Sequence, residues 1–437
     1  MKRLLSVILA VVVCLSFSGC NYLLGESDNL LQAPRPDGTL QRIQKALKET
    51  SLKDGYKLKS AKSGSYRTAY ILKDINGNGE QEAMVFYTVT EGAQETLNFT
   101  VLQSENDNWS VAASTTLSGT NIERVDFGDL DGDGSEEVII AWNIYGAPET
   151  RLSVFSMVGL EPKGIFEQSY TDFCVYDMDT NGSDDLLIFT IDTIEKTSYC
   201  TMYCSGSNGL EKAGAVQTDK SAVSYKNIRR SAVDGKPALF VDCVLNEGGL
   251  FTELITYQNG KLSAPLYQQS GQSSLTTKRS EDIICGDANG DGVVEIPCGT
   301  VMPSGNDVQN SLSLIEWKQY SGGTLSLKER SVVSKAQQYK FLIKDEWLGK
   351  LACVATAPDG MEFYEYSQDG GKGKLLFSIN AVSTESYDSD SYNDWFIITQ
   401  NYKTVYLAKI KNEQSKAGNI NRKTVKKYFS EKIVEEG

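Results

Sequence analysis

Histidine is absent from all 437 residues. Its absence excludes a Ser-His-Asp triad, a Cys-His pair and His-ligated zinc, and with them the commonest general base. No CxxC pair occurs, so a structural zinc site is not expected. Positive charge is scarce: 43 Lys and Arg stand against 57 Asp and Glu, a net charge of -14. That balance speaks against nucleic acid as a partner and against electrostatic adhesion to anionic lipid. After the first twenty residues no second apolar run is long enough to cross a bilayer. Seven of the nine cysteines follow Cys20, an odd number that cannot all pair within one chain. Most lie in strand-like runs such as FCVYDM, LFVDCVL and KLACVAT, and read as small buried hydrophobes. Cys285 and Cys298 flank one acidic loop and could bridge it. Cys200 and Cys204, at i and i+4 on one strand face, are too far apart for an unstrained bridge.

The N-terminus carries a location signal. Met1-Lys2-Arg3 is a short basic head, and LLSVILAVVVCLSF, Leu4 to Phe17, is an apolar core too short for a transmembrane helix. Ser18-Gly19-Cys20 follows, and FSGC resembles a bacterial lipobox with Phe17 where Leu is usual. The resemblance implies cleavage after residue 19 and a diacylglyceryl group on Cys20. The plainer alternative is a secretory signal with an incidental cysteine. Two acyl chains anchor stably, since each buried CH2 contributes about 0.8 kcal/mol. The expected organisation is a signal peptide over 1–19, a lipidated tether with a short helix over 20–60, and a folded domain over 61–437. It places the mature chain at the cell membrane, lipid-anchored on the extracytoplasmic face.

What the chain has in excess is a repeated acidic phrase. DINGNGEQE spans Asp74–Glu82, DLDGDGSEE Asp129–Glu137, DMDTNGSDD Asp177–Asp185, and DANGDGVVE Asp287–Glu295. Each has Asp at position 1, Asp or Asn at 3 and 5, Gly at 6 and an acid at 9. Apolar segments precede each loop (YRTAYIL, IERVDF, DFCVY, DIIC) and β-rich runs follow (AMVFYTV, VIIAW, LLIFTI, IPCGTVM), with further alternating stretches beyond them. Period-two alternation between turn residues signals strands. Weaker copies are anchored at Asp234, Asp345 and Asp388, completing seven units at a period of roughly fifty residues. Four strands per unit at this period fit an all-β fold, a β-propeller of seven four-stranded blades. A short N-terminal helix is expected over 37–49, where Leu40, Ile43 and Leu47 share a face after Pro36. A C-terminal helix is expected from Asn421, with Val425, Phe429 and Ile433 at four-residue spacing. YKLKSAK, from Tyr56, could supply the outer strand of the last blade.

The four loops resemble those of FG-GAP or VCBS repeats, the blade units of the integrin α-subunit propeller and of many bacterial surface proteins. The resemblance covers most of residues 60–437, is specific in the loops, and is weak elsewhere; three units lack the loop motif. LLQAPRPDGTLQRIQKAL followed by such repeats resembles clostridial lipoproteins, which implies a Gram-positive source.

In a tight loop alternate side chains point the same way, so oxygens at positions 1, 3 and 5 converge. The position-7 carbonyl and the acid at 9 close the cage. A cation taking roughly six to eight oxygens at about 2.3–2.6 Å suits it, which is calcium. The expected ligand positions are Asp74, Asn76, Asn78, Glu80 and Glu82; Asp129, Asp131, Asp133, Ser135 and Glu137; Asp177, Asp179, Asn181, Ser183 and Asp185; Asp287, Asn289, Asp291, Val293 and Glu295. Up to four Ca2+ ions are thus expected, the tightest at Asp129. Asx turns without an ion are the bland alternative. Flanking strands and the acid at 9 separate these loops from EF-hands, and the absence of a tandem helical pair separates GDANGDG from dockerins.

The function expected from these features is a non-catalytic binding or scaffold module at the cell surface, with a protein or glycan partner and no nucleic acid. The alternative is a glycosidase or lyase acting on polysaccharide, for which two carboxylates across a pocket would suffice. The tryptophans Trp109, Trp142, Trp317, Trp347 and Trp395 are expected to pack between blades rather than to bind sugars.

Overall fold

The computed structural model describes residues 38–50 and 56–435 apart from short segments at 92–93, 145, 147–149, 208, 270–273, 306, 308, 358–359 and 369–370. The leader and Cys20 lie outside the described residues.

The chain folds as expected into antiparallel four- and five-stranded sheets laid down in sequence order. Sheet one spans residues 57–117, sheet two 121–169, sheet three 172–217, sheet four 222–263, sheet five 295–342 with a terminal addition, and sheet six 351–410. In sheets two, three and four each strand pairs with the next in sequence, as short turns and period-two patterning dictate.

Central strands are buried on both faces. In the strand Leu186–Asp192, Leu186 and Ile188 pack with Ile139, Val154 and Phe173 of sheets two and three. Leu187 and Phe189 pack with Leu239, Val241 and Phe251 of sheet four. Alternate residues thus serve two neighbouring interfaces, which is why LLIF is a continuous apolar run. The same arrangement joins sheets one and two through Phe86, Phe99 and Ile140, four and five through Phe240, Leu254 and Ile296, and five and six through Phe341, Phe363 and Phe377. Among the described residues no apolar cluster joins sheet six to sheet one. Trp142 and Trp317 repeat one device: each buried indole N–H donates to a serine on the neighbouring strand, Ser153 at 2.8 Å and Ser331 at 2.9 Å. Trp347 is also buried, whereas Trp109 and Trp395 are partly exposed.

Among the described residues six four- or five-stranded sheets form, not seven, beside a small two-stranded hairpin, Gln414–Ser415 with Gly418–Asn419. The unit anchored at Asp388 contributes only the hairpin Phe396–Gln400/Thr404–Ile410, which pairs through its second strand with Gly371–Ser383 and extends sheet six. Only two apolar runs remain in the chain at that point, too few for a separate sheet. At Asp345 a single 3-10 turn, Asp345–Trp347, replaces the loop. The preceding strand Tyr339–Leu342 folds back onto sheet five.

The N-terminal helix forms over Gly38–Thr50, with Ile43 and Leu47 fully buried against Ala83, Val85 and Leu102 of sheet one. YKLKSAK does not complete the last sheet: Lys57–Leu58 pairs with Tyr87 and Thr88 of sheet one. The C-terminal helix is Arg422–Tyr428, capped by the Asn421 side chain on the Thr424 N–H. It is shorter than its spacing predicts. Phe429 leaves it to pair with Phe341 at the edge of sheet five and stacks on Tyr339.

Candidate functional site

All four acidic loops close on one hydrogen-bond scheme. The position-1 aspartate accepts the N–H of the position-6 glycine: Asp74 from Gly79 at 2.8 Å, Asp129 from Gly134 at 3.1 Å, Asp177 from Gly182 at 3.1 Å, and Asp287 from Gly292 at 2.7 Å. Those glycines have φ of 87°, 89°, 94° and 81°, the left-handed region that makes the residue type necessary. The position-5 side-chain oxygen accepts the N–H of position 7: Asn78 from Glu80, Asp133 from Ser135, Asn181 from Ser183, and Asp291 from Val293. The position-9 acid points inward and accepts the N–H of position 2: Glu82 from Ile75, Glu137 from Leu130, Asp185 from Met178, and Glu295 from Ala288.

These position-9 carboxylates are at most 3% exposed. Burial pushes all four above the usual carboxylate range, Glu137 and Glu295 to about 7, and the neighbouring loop aspartates push the same way. A divalent cation would offset that cost. The fit is geometric as well. Oxygens sharing one calcium at about 2.3–2.6 Å cannot lie more than roughly 5 Å apart. Asp129, Asp131 and Glu137 place one oxygen each within 4.8 Å of one another.

The third loop differs. Its cluster is Asp179, Asp185 and Cys204, again within 4.8 Å, and the Cys204 thiol donates to Asp185 Oδ1 at 2.8 Å. It also has Thr180 at φ 62°, where the other loops have glycine. A β-branched residue is strained there. Thr180→Gly is expected to raise stability by up to about 1 kcal/mol; a thermal melt that falls would show the threonine to be relaxed in place.

The loops also touch in series. The Glu136 N–H donates to the Ile75 carbonyl at 3.1 Å, and the Asp184 N–H to the Asp129 carbonyl at 2.8 Å. The first three loops therefore form one rim. At the fourth, the C-terminal segment completes the contact, Glu435 N–H donating to the Asp287 carbonyl at 2.8 Å. Where the fourth sheet's turn has lost its acids, Asp234 instead accepts Ser321 Oγ and the Gly322 N–H from the adjacent sheet. The seven cysteines after Cys20 are all unpaired. Cys285 and Cys298 form no bridge; Cys285 is committed to Asp242, accepted at Oδ2 from both its N–H and its thiol.

A polar cavity of about 760 Å³ lies between the first strands of sheets two, three and four and the segment Lys62–Ser65. That segment runs parallel to the first strand of sheet two, through Ser63 beside Arg124. Asn143 and Thr150 line the cavity. In sheet two Asn143 pairs with Asn121 at one strand end, while Gly128 and Glu137 meet at the loop end. The cavity's lining therefore includes the strand end opposite the acidic loops.

Arg124 organises its floor. One guanidinium nitrogen donates to Asp126 at 2.6 Å, the other to Asp172 at 3.3 Å and to the Phe173 carbonyl at 3.0 Å, over the Phe173 ring. Glu123 accepts from Lys62 at 2.6 Å and also from Asn143. Asp172 is raised by burial, against the pull of the Phe173 N–H and Arg124. The Tyr170 hydroxyl is raised by burial and by Glu123 and Asp172. None of these residues was singled out from the sequence. The available signal was a charged residue at an alternate position of an otherwise apolar run, as in IERVDF and TDFCVY.

No protein-family model and no curated protein matches the chain. Among solved structures it is similar to a rhamnogalacturonan lyase of Bacillus licheniformis, with TM-score 0.31, 13% identity, and 73% of this chain and 77% of that chain covered. It is also similar to an exo-β-1,3-galactanase from Phanerochaete chrysosporium, with TM-score 0.29, 10% identity, 75% and 80% covered. A β-1,3-galactosidase matches with TM-score 0.28, 11% identity and 82% of each chain covered. These likenesses are too distant to transfer a mechanism. All three of those proteins are nonetheless glycan-cleaving enzymes by name, and the expectation that this chain is non-catalytic is withdrawn.

Proposed function

We propose that this chain is a lipid-anchored extracytoplasmic β-propeller of the FG-GAP/VCBS kind, stiffened by calcium in its acidic loops, that engages a glycan in the cavity between its first strands. In this reading Cys20 carries the lipid, residues 20–60 are tether and helix, and the sheets are the blades. The observation that carries it is the cavity. It brings Glu123, Asp126 and Asp172, three acceptors for sugar hydroxyls, together with Arg124 and Asn143 as donors, in a space of monosaccharide-to-oligosaccharide size.

A second reading, cleavage of the bound glycan, is favoured by Asp172. A carboxyl held above its usual range by burial, against the pull of Arg124 and the Phe173 N–H, suits a general acid. The test is binding and turnover of an oligosaccharide panel by residues 21–437 in calcium. Asp172→Asn is expected to abolish any cleavage, by 10²-fold or more on the scale of general acid catalysis, while leaving binding within severalfold. An unchanged cleavage rate would remove Asp172 from the chemistry, and a panel without a binder would remove the glycan.

A further inference from the structure

The cavity is lined by four cations, Lys62, Arg124, Lys226 and Arg230, against three carboxylates, in a chain whose net charge is -14. Three of the four cations have carboxylate partners: Lys62 has Glu123, Arg124 has Asp126 and Asp172, and Lys226 has Asp282. Arg230 has none within ion-pair distance among the described residues. The one hydrogen bond resolved for its guanidinium goes to the Val175 carbonyl, 3.1 Å from Nη1; its charge also acts on Asp184 of the third acidic loop, beyond ion-pair distance, and its side chain lines the cavity.

We infer that the ligand is an acidic glycan, and that Arg230 takes the carboxylate of a uronate residue. This rests on the glycan reading above and adds the charge class. A guanidinium with free donors matches a planar carboxylate in a two-point contact. The same lining argues against a phosphate. Glu123, Asp126 and Asp172 would repel a dianion, whereas the hydroxyls of a uronate ring give those carboxylates hydrogen bonds to accept. A single negative charge on a hydroxyl-rich ring is the ligand that satisfies both parts of the cavity.

The experiment is calorimetric titration of residues 21–437 in calcium with four probes: an oligogalacturonide, the same oligosaccharide with its carboxyls reduced to alcohols, a sulfated oligosaccharide and inorganic phosphate. The oligogalacturonide should bind at least tenfold more tightly than its reduced form. Arg230→Gln should remove most of that difference, by about ten- to hundredfold, and Arg230→Lys should restore part of it. Arg229→Gln, on the neighbouring residue that lines a different cavity, is the control, and thermal melts confirm that each variant is folded. Equal binding of acidic and reduced forms would overturn the charge assignment and leave the glycan reading standing. Preference for the sulfated probe or for phosphate would overturn the uronate. Binding of no oligosaccharide would overturn both readings.

Discussion

Arg279→Met should lower the unfolding free energy by about 3–5 kcal/mol, the largest single-residue effect expected in this chain. The Arg279 and Asp242 side chains are both fully buried, with Nη2 2.7 Å from Oδ1. Arg279 also donates to Thr252 Oγ1 and to the carbonyls of Thr277, Pro297 and Ile283. Asp242 accepts from Thr252, Asn227 and Cys285 as well. The pair fastens the connection between sheets four and five at the point where the chain crosses from one to the other. Removing the guanidinium leaves a buried carboxylate facing neutral donors only, and removing the carboxylate in Asp242→Ala leaves a buried cation. Either loss exposes the desolvation cost of the survivor, whereas replacing both partners by apolar residues removes that cost with the charges. Urea titrations should therefore show each single variant strongly destabilised and Asp242→Leu/Arg279→Met recovering most of the loss. A single-variant effect under about 1 kcal/mol would mean that water or a neighbour compensates the charge.

The second large effect is a pH dependence that calcium suppresses. In the metal-free chain the folded-state values of Glu137 and Glu295 are about 7, raised from 4.5 by burial. The native state then binds more protons than the unfolded state between those values, so stability falls as pH rises. It is fully present below pH 4.5 and lost through pH 7, on the order of 3 kcal/mol for each of these two carboxylates. Thermal melts in EDTA should show the midpoint dropping across that window. Calcium at about tenfold its dissociation constant should add roughly 1.4 kcal/mol per site and flatten the dependence, with magnesium weaker because it demands a tighter octahedron. A midpoint that rises with pH in EDTA, or is unmoved by calcium, would end the metal reading of these loops. Asp131→Asn should cut the calcium response and shift the EDTA curve only in part, because burial, the main cause of the raised Glu137, remains while one of the loop charges that add to it is gone.

Features that depend on local patterning could be read from the residues directly. Strand identity followed from period-two alternation, and the four loops from Asp at 1, Gly at 6 and an acid at 9, because those turns close on their own backbone. The N-terminal helix was legible from Leu40, Ile43 and Leu47, since one face decides it. Tertiary structure alone decided the rest. Whether the Asp388 unit stands as a sheet or joins its neighbour depends on which edge is free, and edge availability has no local signature. Phe429 left its helix because the strand Tyr339–Leu342 offered hydrogen bonds that helix spacing could not register. Cys204 joined the third loop from a neighbouring strand, and Arg279 met Asp242 across 37 residues. The cavity belongs wholly to this second class. Glu123, Arg124, Asp126, Asp172 and Arg230 are unremarkable singly, and they meet only because successive sheets present their first strands to one space.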